Sequence, residues 1–277
     1  MAEQATREPR GLVALAAAAG AKLLALFELT GEVWYLLAEM VRWLWRAATG
    51  RSRLGRPAIV SQIVRVGVRS ILIISLVSGC VGLILVLQMA PPLDDFGSKD
   101  LVANITAVAV LRELGPLIAA IVLTGFAGAA IAAEIGTMVV GEEIEALEAH
   151  ALNPIRFLVV PRVLATVISM GCLAVIADLV AVFAGMFTSS IALGIPTAQY
   201  MSNTLDQVES VDFLTGVGKG LVFGLLIGSI ACTNGLRVTG GAAGVGQATT
   251  GTVVQSVVAI IVADLIFTSI FYSLGLV

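Results

Sequence analysis

An uninterrupted apolar stretch in the middle of the chain most restricts the folds open to it. Twenty uncharged residues, Leu114–Ala133, separate Glu113 from Glu134, and the apolar pattern then continues to Gly141. About twenty apolar residues in a helix are enough to cross the hydrocarbon core of a bilayer. The sequence therefore predicts a membrane-spanning helix that leads directly into a short acidic helix. The acidic helix begins with four glutamates within seven positions: Glu142, Glu143, Glu145 and Glu148.

The rest of the sequence repeats this apolar pattern. The chain is 58% hydrophobic and only 13% charged, whereas about a quarter of the residues of a soluble domain are charged. Its 29 glycines suit transmembrane helices that pack closely against one another. We predict an all-α integral membrane protein with five transmembrane helices, at roughly 67–90, 114–140, 163–190, 214–234 and 250–275.

Residues 101–111 are also apolar, but the stretch from Asp100 to Gly141 is too long for one straight span. We therefore expect 101–111 to form a short outer-leaflet or re-entrant helix. The Gly115-Pro116 pair is then expected to bend the chain into the span proper.

The positive charges are distributed unevenly between the two sides of the membrane. Thirteen of the sixteen Lys and Arg residues lie around or before the start of the first span, or in the segments 141–162 and 235–249. Only Lys99, Arg112 and Lys219 lie towards the other side. Because basic residues stay on the cytoplasmic side, we expect a multi-pass protein with a cytoplasmic N-terminus.

The first 66 residues form a separate N-terminal cytoplasmic segment ahead of the five-span domain of residues 67–277. Arg7 and Arg10 precede an alanine-rich run that resembles a signal peptide, but apolar and charged residues then alternate at helical spacing. Three tryptophans favour an uncleaved interfacial helix on the inner leaflet. They are Trp34, Trp43 and Trp45.

The residue inventory argues against an enzyme. The three cysteines lie in three different spans and His150 is the single histidine, so neither a metal site nor a Ser-His triad is indicated. The glycine-rich run GGAAGVGQATT (240–250) has Gln247 and Ala248 where a phosphate-binding loop needs Lys and Ser or Thr. We expect no metal or cofactor bound by this chain, and no nucleic-acid partner.

The acidic segment has two faces when it is drawn as a helix. Ile144, Leu147 and Ala151 fall along one stripe, and the glutamates occupy the other faces. This pattern suits a solvated surface helix, and it also suits a coupling helix that sits in a groove of a cytoplasmic ATPase. Asn153-Pro154 is expected to end the helix and to direct the chain into the next span.

Two long segments of the chain resemble one family. The run LRELGPLIAAIVLTGFAGAAIAAEIGTMVVGEEIEALEAHALNPIRFLVVPRVLA resembles the signature region of the MlaE/YrbE permeases, the membrane subunits of MCE-type lipid ABC transporters. The segment GVGKGLVFGLLIGSIACTNGLRVTGGAAGVGQATTGTVVQS and the last span are similar to the same family, so the resemblance covers roughly 40–277. Asn234-Gly235 and His150-Ala151 depart from the family pattern.

This resemblance implies the transport function and the partners. It implies a homodimer in the inner membrane, cytoplasmic ABC ATPases that bind ATP and Mg²⁺, and an MCE-domain protein on the outer side. Phospholipid would occupy an outward-facing pocket at the dimer axis. The coupling helix would lie at about 141–154, with contacts from Glu142, Glu143, Ile144, Glu145, Leu147, Glu148, Asn153 and Pro154.

Three charged residues near the outer ends of spans are candidates for lipid binding. Arg112 and Lys219 either extend to the interface, with Glu113 paired locally, or face the pocket and attract a lipid phosphate. In the second interpretation Glu113 holds the two cations apart or in place, and alanine at both cations lowers lipid transfer while leaving assembly intact. Phe96 and Leu85 complete the predicted lipid-binding set.

Three deeper carboxylates support an alternative function. Glu134, Asp178 and Asp264 lie within spans and would serve as ion sites in an ion-coupled secondary transporter. Such transporters usually carry an internal repeat, and the two halves of this sequence show none. We favour buried pairing or helix-end roles for these residues.

Overall fold

The computed structural model describes residues 20, 30–43, 45–46, 49 and 56–275. The described residues form helices and connecting turns, with no strand among them. Five helical stretches in this part of the chain are long and apolar enough to span a membrane. They are Pro57–Asp95, Leu101–Val140, Ile155–Ala192, Ser210–Leu236 and Ala242–Ser273. Each contains one predicted span almost entirely and extends beyond it, which confirms the predicted all-α five-span fold.

The individual helices are numbered in chain order, with α1 at residues 30–43. The first span consists of α2 (Arg56–Val66), a 3₁₀ turn (Val68–Ser70) and α3 (Ile71–Asp95). The second consists of α4 (Leu101–Ala109), a π turn (Val110–Leu114), α5 (Gly115–Leu123), a second π turn (Thr124–Gly128) and α6 (Ala129–Val140). The acidic helix is α7 (Glu143–Ala149). A π turn (Ile155–Val159) leads into α8 (Val160–Ala192), which is followed by α9 (Thr197–Gln207), α10 (Ser210–Leu236) and α11 (Ala242–Ser273).

The second span corrects one prediction. Residues 101–111 do not form a separate re-entrant segment, because the helix continues from α4 through the π turn Val110–Leu114 into α5. Pro116 lies in the first turn of α5. It has no N–H to donate to the preceding turn, and a π turn changes the hydrogen-bond register at that point without breaking the helix. At about 60 Å, the whole helix is longer than the hydrocarbon core.

Small residues let the helices of the bundle approach closely. A Cβ atom at Gly82 of α3 would overlap the main chain of Ala181 in α8, and one at Gly224 of α10 would lie 2.8 Å from the Thr166 carbonyl oxygen. The core between the spans is built around larger side chains, among them Ile74, Leu123 and Phe223. Helix α8 therefore lies at the centre of the bundle, between α3 and α10.

The two ends of the bundle carry different elements. The α7 end also carries α1, where the Asn153 amide donates to Glu39 Oε1 at 3.3 Å and Arg237 pairs with Glu32 at 3.2 Å. Leu36 and Met40 of α1 are buried in the main core. At the α9 end, the Asn203 amide donates to the Asp100 carbonyl oxygen at 3.0 Å. These contacts fix α1 and α9 against opposite ends of the spans.

Part of the predicted N-terminal helix is present as α1, on which Trp34 is exposed; Trp45, beyond the last residue of α1, is exposed too. Arg7, Arg10 and the run that resembles a signal peptide lie outside the described residues. Val66 is the last residue of α2, so the predicted boundary between residues 66 and 67 lies within the helical stretch Pro57–Asp95, and the division into two domains stays a prediction. A Cβ atom at Gly67 would lie 2.7 Å from Ser169 Oγ, so the chain passes close to α8 at this point.

Candidate functional site

A buried lysine organises the charged residues of the α9 half of the bundle. The side chain of Lys219, on α10, is only 1% exposed. Its Nζ atom lies 2.5 Å from Glu113 Oε2, 2.9 Å from Asp264 Oδ1 and 3.0 Å from Thr268 Oγ1. The Thr268 hydroxyl in turn donates to Glu113 Oε1 at 2.9 Å. We call Lys219, Glu113, Asp264 and Thr268 the lysine cluster.

The arginine next to Glu113 has its own partner. Arg112 Nε donates to Asp212 Oδ1 at 2.5 Å. The other oxygen of Asp212 accepts the Glu209 backbone N–H at 2.9 Å and closes a capping box at the start of α10. Asp212 is buried, so it holds both the N-terminus of α10 and the guanidinium of Arg112 in place.

The π turn explains how adjacent residues reach different partners at one site. Arg112 and Glu113 lie in the turn Val110–Leu114, where the helix is locally wider than an α-helix. Single π turns inside α-helices occur frequently at functional sites. The turn thus connects the Arg112–Asp212 pair to the lysine cluster and joins the second span to α10 and α11.

A groove of about 490 Å³ opens beside these charges at the α9 end. The side chains of Arg112 and Glu113 are 22% and 33% exposed, and both line the groove. Apolar residues of α4 and two amides form the remaining wall: Leu101, Asn104, Ile105, Val108, Ala109 and Gln207. The groove therefore combines one cation and one carboxylate with an apolar wall, which is the composition that an amphipathic ligand needs.

The five predicted lipid-binding residues do not all lie at one site in the structure. Arg112 and Glu113 line the groove, whereas Lys219 is buried behind it and does not extend to the interface. Glu113 contacts Lys219 at 2.5 Å, and its expected role of holding the cations for lipid stays a prediction. Phe96, at the C-terminal end of α3, is 82% exposed, and Leu85 is half-buried in α3. Neither of these two lines the groove, and lipid binding by the whole set stays a prediction.

The sequence interpretation missed Asp212, Asn104 and Gln207 as members of this region. Glu209 and Asp212 have the spacing of a capping box ahead of an apolar run, but not the Ser or Thr followed by Glu or Gln that marks one in a sequence. Asn104 and Gln207 are joined by a hydrogen bond of 3.3 Å between their side chains. No local pattern indicates this contact, because it joins residues on two different helices, α4 and α9.

The three deep carboxylates have different surroundings. Asp264 pairs with Lys219, and Glu134 pairs with both Arg65 and Arg162. These two carboxylates are in ion pairs, as the favoured interpretation expected. Asp178 is buried in α8, and neither of its oxygens has a hydrogen-bond partner among the described residues. Use of these groups as ion sites stays a prediction.

The acidic helix α7 is exposed on nearly all sides. Its three glutamates and the N-cap Glu142 are exposed, and Ile144 and Leu147 are half-buried along one stripe. Ala151 is exposed and lies beyond the helix, at a φ of 58°. The Leu152 N–H donates to the Leu147 carbonyl oxygen at 3.0 Å, and the Ala151 N–H donates to that of Glu148 at 2.8 Å. These bonds form a Schellman motif, so the helix ends earlier than the expected 154.

The predicted role of Asn153-Pro154 changes accordingly. Asn153 Oδ1 accepts the Arg156 backbone N–H at 3.0 Å, and Pro154 is the first helical residue. An asparagine N-cap followed by proline is a typical start of a helix. The pair therefore begins the third span, while the turn at Ala151 ends α7.

The two departures from the family pattern have structural explanations. Asn234 donates to Thr252 Oγ1 at 3.0 Å and to Gln255 Oε1 at 2.7 Å, so it joins α10 to α11. A Cβ atom at Gly235 would lie 2.7 Å from that of Ile135. His150 is the exposed C-cap of α7.

Among the described residues, no group of His, Cys, Asp and Glu side chains could hold a metal ion.

Comparison with known proteins identifies the family. The sequence profile described as Permease MlaE matches residues 59–270. The chain belongs to the MlaE permease family. A relative in Haemophilus influenzae, the intermembrane phospholipid transport system permease protein MlaE, is 33% identical over 84% of this chain and 90% of its own length. A probable ABC transporter permease protein of Rickettsia prowazekii is 35% identical over 77% of this chain and 83% of its own length.

The likeness extends beyond bacteria. The chloroplastic protein TRIGALACTOSYLDIACYLGLYCEROL 1 of Arabidopsis thaliana is 33% identical over 77% of this chain and 61% of its own length. The MlaE match includes α7, the π turns and the lysine cluster, and it leaves α1 outside. This multi-pass membrane protein is thus an MlaE-type permease, similar to proteins named as ABC transporter permeases and to one named for phospholipid transport.

Proposed function

We propose that this chain is the transmembrane subunit of an ATP-driven phospholipid transporter of the cell envelope. A separate cytoplasmic ATPase supplies the energy, and α7 transmits it to the spans. Membership of the MlaE family carries this proposal, because relatives in that family are named as ABC transporter permeases and one as a phospholipid transport permease.

The exposure of α7 supports its role as the coupling helix. The helix lies between two spans that form the middle of the bundle, and its start and end are both defined by tight turns at Glu142 and Ala151. Its glutamates present negative charge outward, which is complementary to a basic groove on an ATPase. A helix fixed at both ends can transfer a rigid displacement to α6 and α8.

The groove beside Arg112 supports a lipid-binding site at the α9 end of the bundle, opposite α7. The Arg112 guanidinium is suited to a lipid phosphate because it donates hydrogen bonds in a planar fork. The apolar wall of α4 then accommodates the start of an acyl chain. In this proposal Lys219 keeps Glu113 in place and does not contact the lipid.

The proposed arrangement of the transporter complex is based on the distribution of positive charge and of exposed apolar surface in this chain. The α7 end and the N-terminus lie in the cytoplasm, and the α9 end faces outward, where an MCE-domain protein would receive or deliver lipid. Helix α11 exposes a continuous apolar face, including Val258, Leu265 and Ile266. This surface is available to bilayer lipid and to the second copy of a homodimer in the inner membrane.

Charge reversal on α7 tests the proposal. The full chain carrying Glu145→Lys and Glu148→Lys is purified in mild detergent from its native membrane, alongside the unmodified chain. We expect the unmodified chain to retain an ATPase and ATP hydrolysis. The reversed variant is expected to lose both by about tenfold or more, since like charges across an interface cost several kcal/mol.

The matched control reverses two exposed acidic residues at the other end, Asp94→Lys and Asp95→Lys. This variant should retain the ATPase. Loss of the ATPase in both variants, or in neither, would contradict coupling through α7. A chain that carries no ATPase and moves substrate with an ion gradient would support the secondary transporter, with Asp178 as its first candidate residue.

A further inference from the structure

A second groove lies at the α7 end of the bundle, away from the site described above. It has a volume of about 160 Å³ and lies between α2 with its following 3₁₀ turn on one side and the second π turn with the first half of α6 on the other. Its polar part is formed by Gln62, Arg65, Arg69 and Glu134, and its apolar part includes Phe126 and Ala130. The lining of the groove thus combines charged and amide side chains with apolar ones.

The charges of this groove leave a net positive site. Glu134 is its single acidic lining residue and pairs with Arg65, while Arg162 approaches Glu134 from behind at 3.5 Å. Arg69 is exposed and forms no ion pair within the described part of the chain. The groove and the residue behind it therefore contain three guanidinium groups and one carboxylate, and an anion at Arg69 would balance the excess charge.

The polar part of the groove also contains an unsatisfied acceptor. The side-chain oxygen of Gln62 is buried and has no partner among the described residues. A buried acceptor without a donor is unfavourable. A ligand that presents both a phosphate and a hydroxyl would supply an acceptor for Arg69 and a donor for Gln62.

The position along the helices matches the level of lipid head groups. Arg69 lies in the 3₁₀ turn, two residues before the long apolar helix α3 begins at Ile71. From Glu134 to Phe126 the helix extends about 12 Å towards the middle of the bundle. A ligand with its phosphate at Arg69 would place an acyl chain along Ala130 and Phe126.

We infer that this groove binds an anionic glycerophospholipid, with a phosphatidylglycerol head group at Arg65, Arg69 and Gln62. The lipid comes from the leaflet at the α7 end, which is the cytoplasmic leaflet if the proposed orientation holds. The site is separate from the groove at Arg112, so lipid would contact the protein at both ends of the bundle.

A photoactivatable lipid tests the inference. The full chain is placed in phosphatidylcholine nanodiscs that contain a minor fraction of phosphatidylglycerol with a diazirine in its acyl chain. After illumination, we expect cross-links at 126–130. Arg69→Gln should reduce them about fivefold, because one basic residue near a membrane surface contributes about 1 kcal/mol to binding anionic lipid.

Three comparisons make the result specific. Arg237→Gln removes an arginine from the same end, outside the groove, and should leave the cross-links unchanged. Ala130→Trp fills the apolar part and should abolish them while Arg69 stays in place. Equal cross-linking by a phosphatidylcholine probe, or displacement by inorganic phosphate alone, would overturn the inference in favour of bulk lipid or a simple anion site. The test involves no ATPase, so its outcome is independent of the proposed coupling role of α7.

Discussion

Lys219 is the residue on which most of the charged contacts at the α9 end depend. Replacing it with methionine keeps much of its volume but leaves the Glu113 and Asp264 carboxylates without their cation. Removing one partner from a buried ion pair typically costs about 3–5 kcal/mol. We expect Lys219→Met to lower the midpoint of thermal unfolding in detergent strongly, whatever its effect on lipid transfer.

The control for this prediction is Lys99→Met. Lys99 pairs with Asp94 at 2.7 Å, but both side chains are exposed, and such pairs contribute at most about 1 kcal/mol. Adding Glu113→Gln and Asp264→Asn to Lys219→Met should recover much of the lost stability by removing the unpaired charges. Equal unfolding midpoints for Lys219→Met and Lys99→Met would contradict the buried role of Lys219.

The structure also changes the test that the sequence suggested at this site. Alanine at both Arg112 and Lys219 was expected to leave assembly intact, but the contacts of Lys219 make it a residue of the core. The sequence could indicate that Arg112, Glu113 and Lys219 are charged residues in the apolar surroundings near the ends of spans. It could not assign their partners, because Lys219 lies 106 residues from Glu113 and on a different helix.

At the scale of elements, the spans were predictable and their internal irregularities were not. Long uncharged runs with charges at their ends define membrane helices almost by length alone. The turn Val110–Leu114 depends instead on how the second span fits against its neighbours: a Cβ atom at Gly216 of α10 would overlap the Leu111 carbonyl oxygen. The end of α7 at Ala151 was missed for a related reason, since alanine rarely adopts the left-handed conformation of a C-cap.

Two glycines of α3 provide a test of helix packing. A Cβ atom at Gly82 would overlap the main chain of Ala181, whereas one at Gly79 would lie 3.4 Å from Val180 Cγ1, an ordinary contact. Overpacking costs about 1–3 kcal/mol, and alanine is favoured over glycine inside a helix by about 1 kcal/mol. We expect Gly82→Ala to lower the unfolding midpoint and Gly79→Ala to leave it unchanged or raise it.

Because the two positions lie one turn apart on the same helix, differences in expression or insertion should affect both variants similarly. A Gly82→Ala variant as stable as the Gly79→Ala variant would show that α3 and α8 can separate at little cost. The close approach seen at Ala181 would then contribute little to the stability of the bundle.

At the scale of the whole molecule, the separation of positive charge predicts which end of the bundle lies in the cytoplasm. The prediction can be measured with single cysteines in a chain whose Cys80, Cys172 and Cys232 are replaced by alanine. Phe96→Cys places a thiol at the α9 end and Ala149→Cys places one on α7; both positions are exposed. A membrane-impermeant maleimide applied to spheroplasts should label the first directly and the second only after the membrane is permeabilised.

Leu265→Cys is the matched control. This residue is exposed on the apolar face of α11, within a span, so a charged reagent should not label it before or after permeabilisation. Labelling of Ala149→Cys in intact spheroplasts would reverse the orientation. It would also place α7 where no ATP-hydrolysing partner can reach it. Both the predicted coupling through α7 and the predicted cytoplasmic N-terminus would then be wrong.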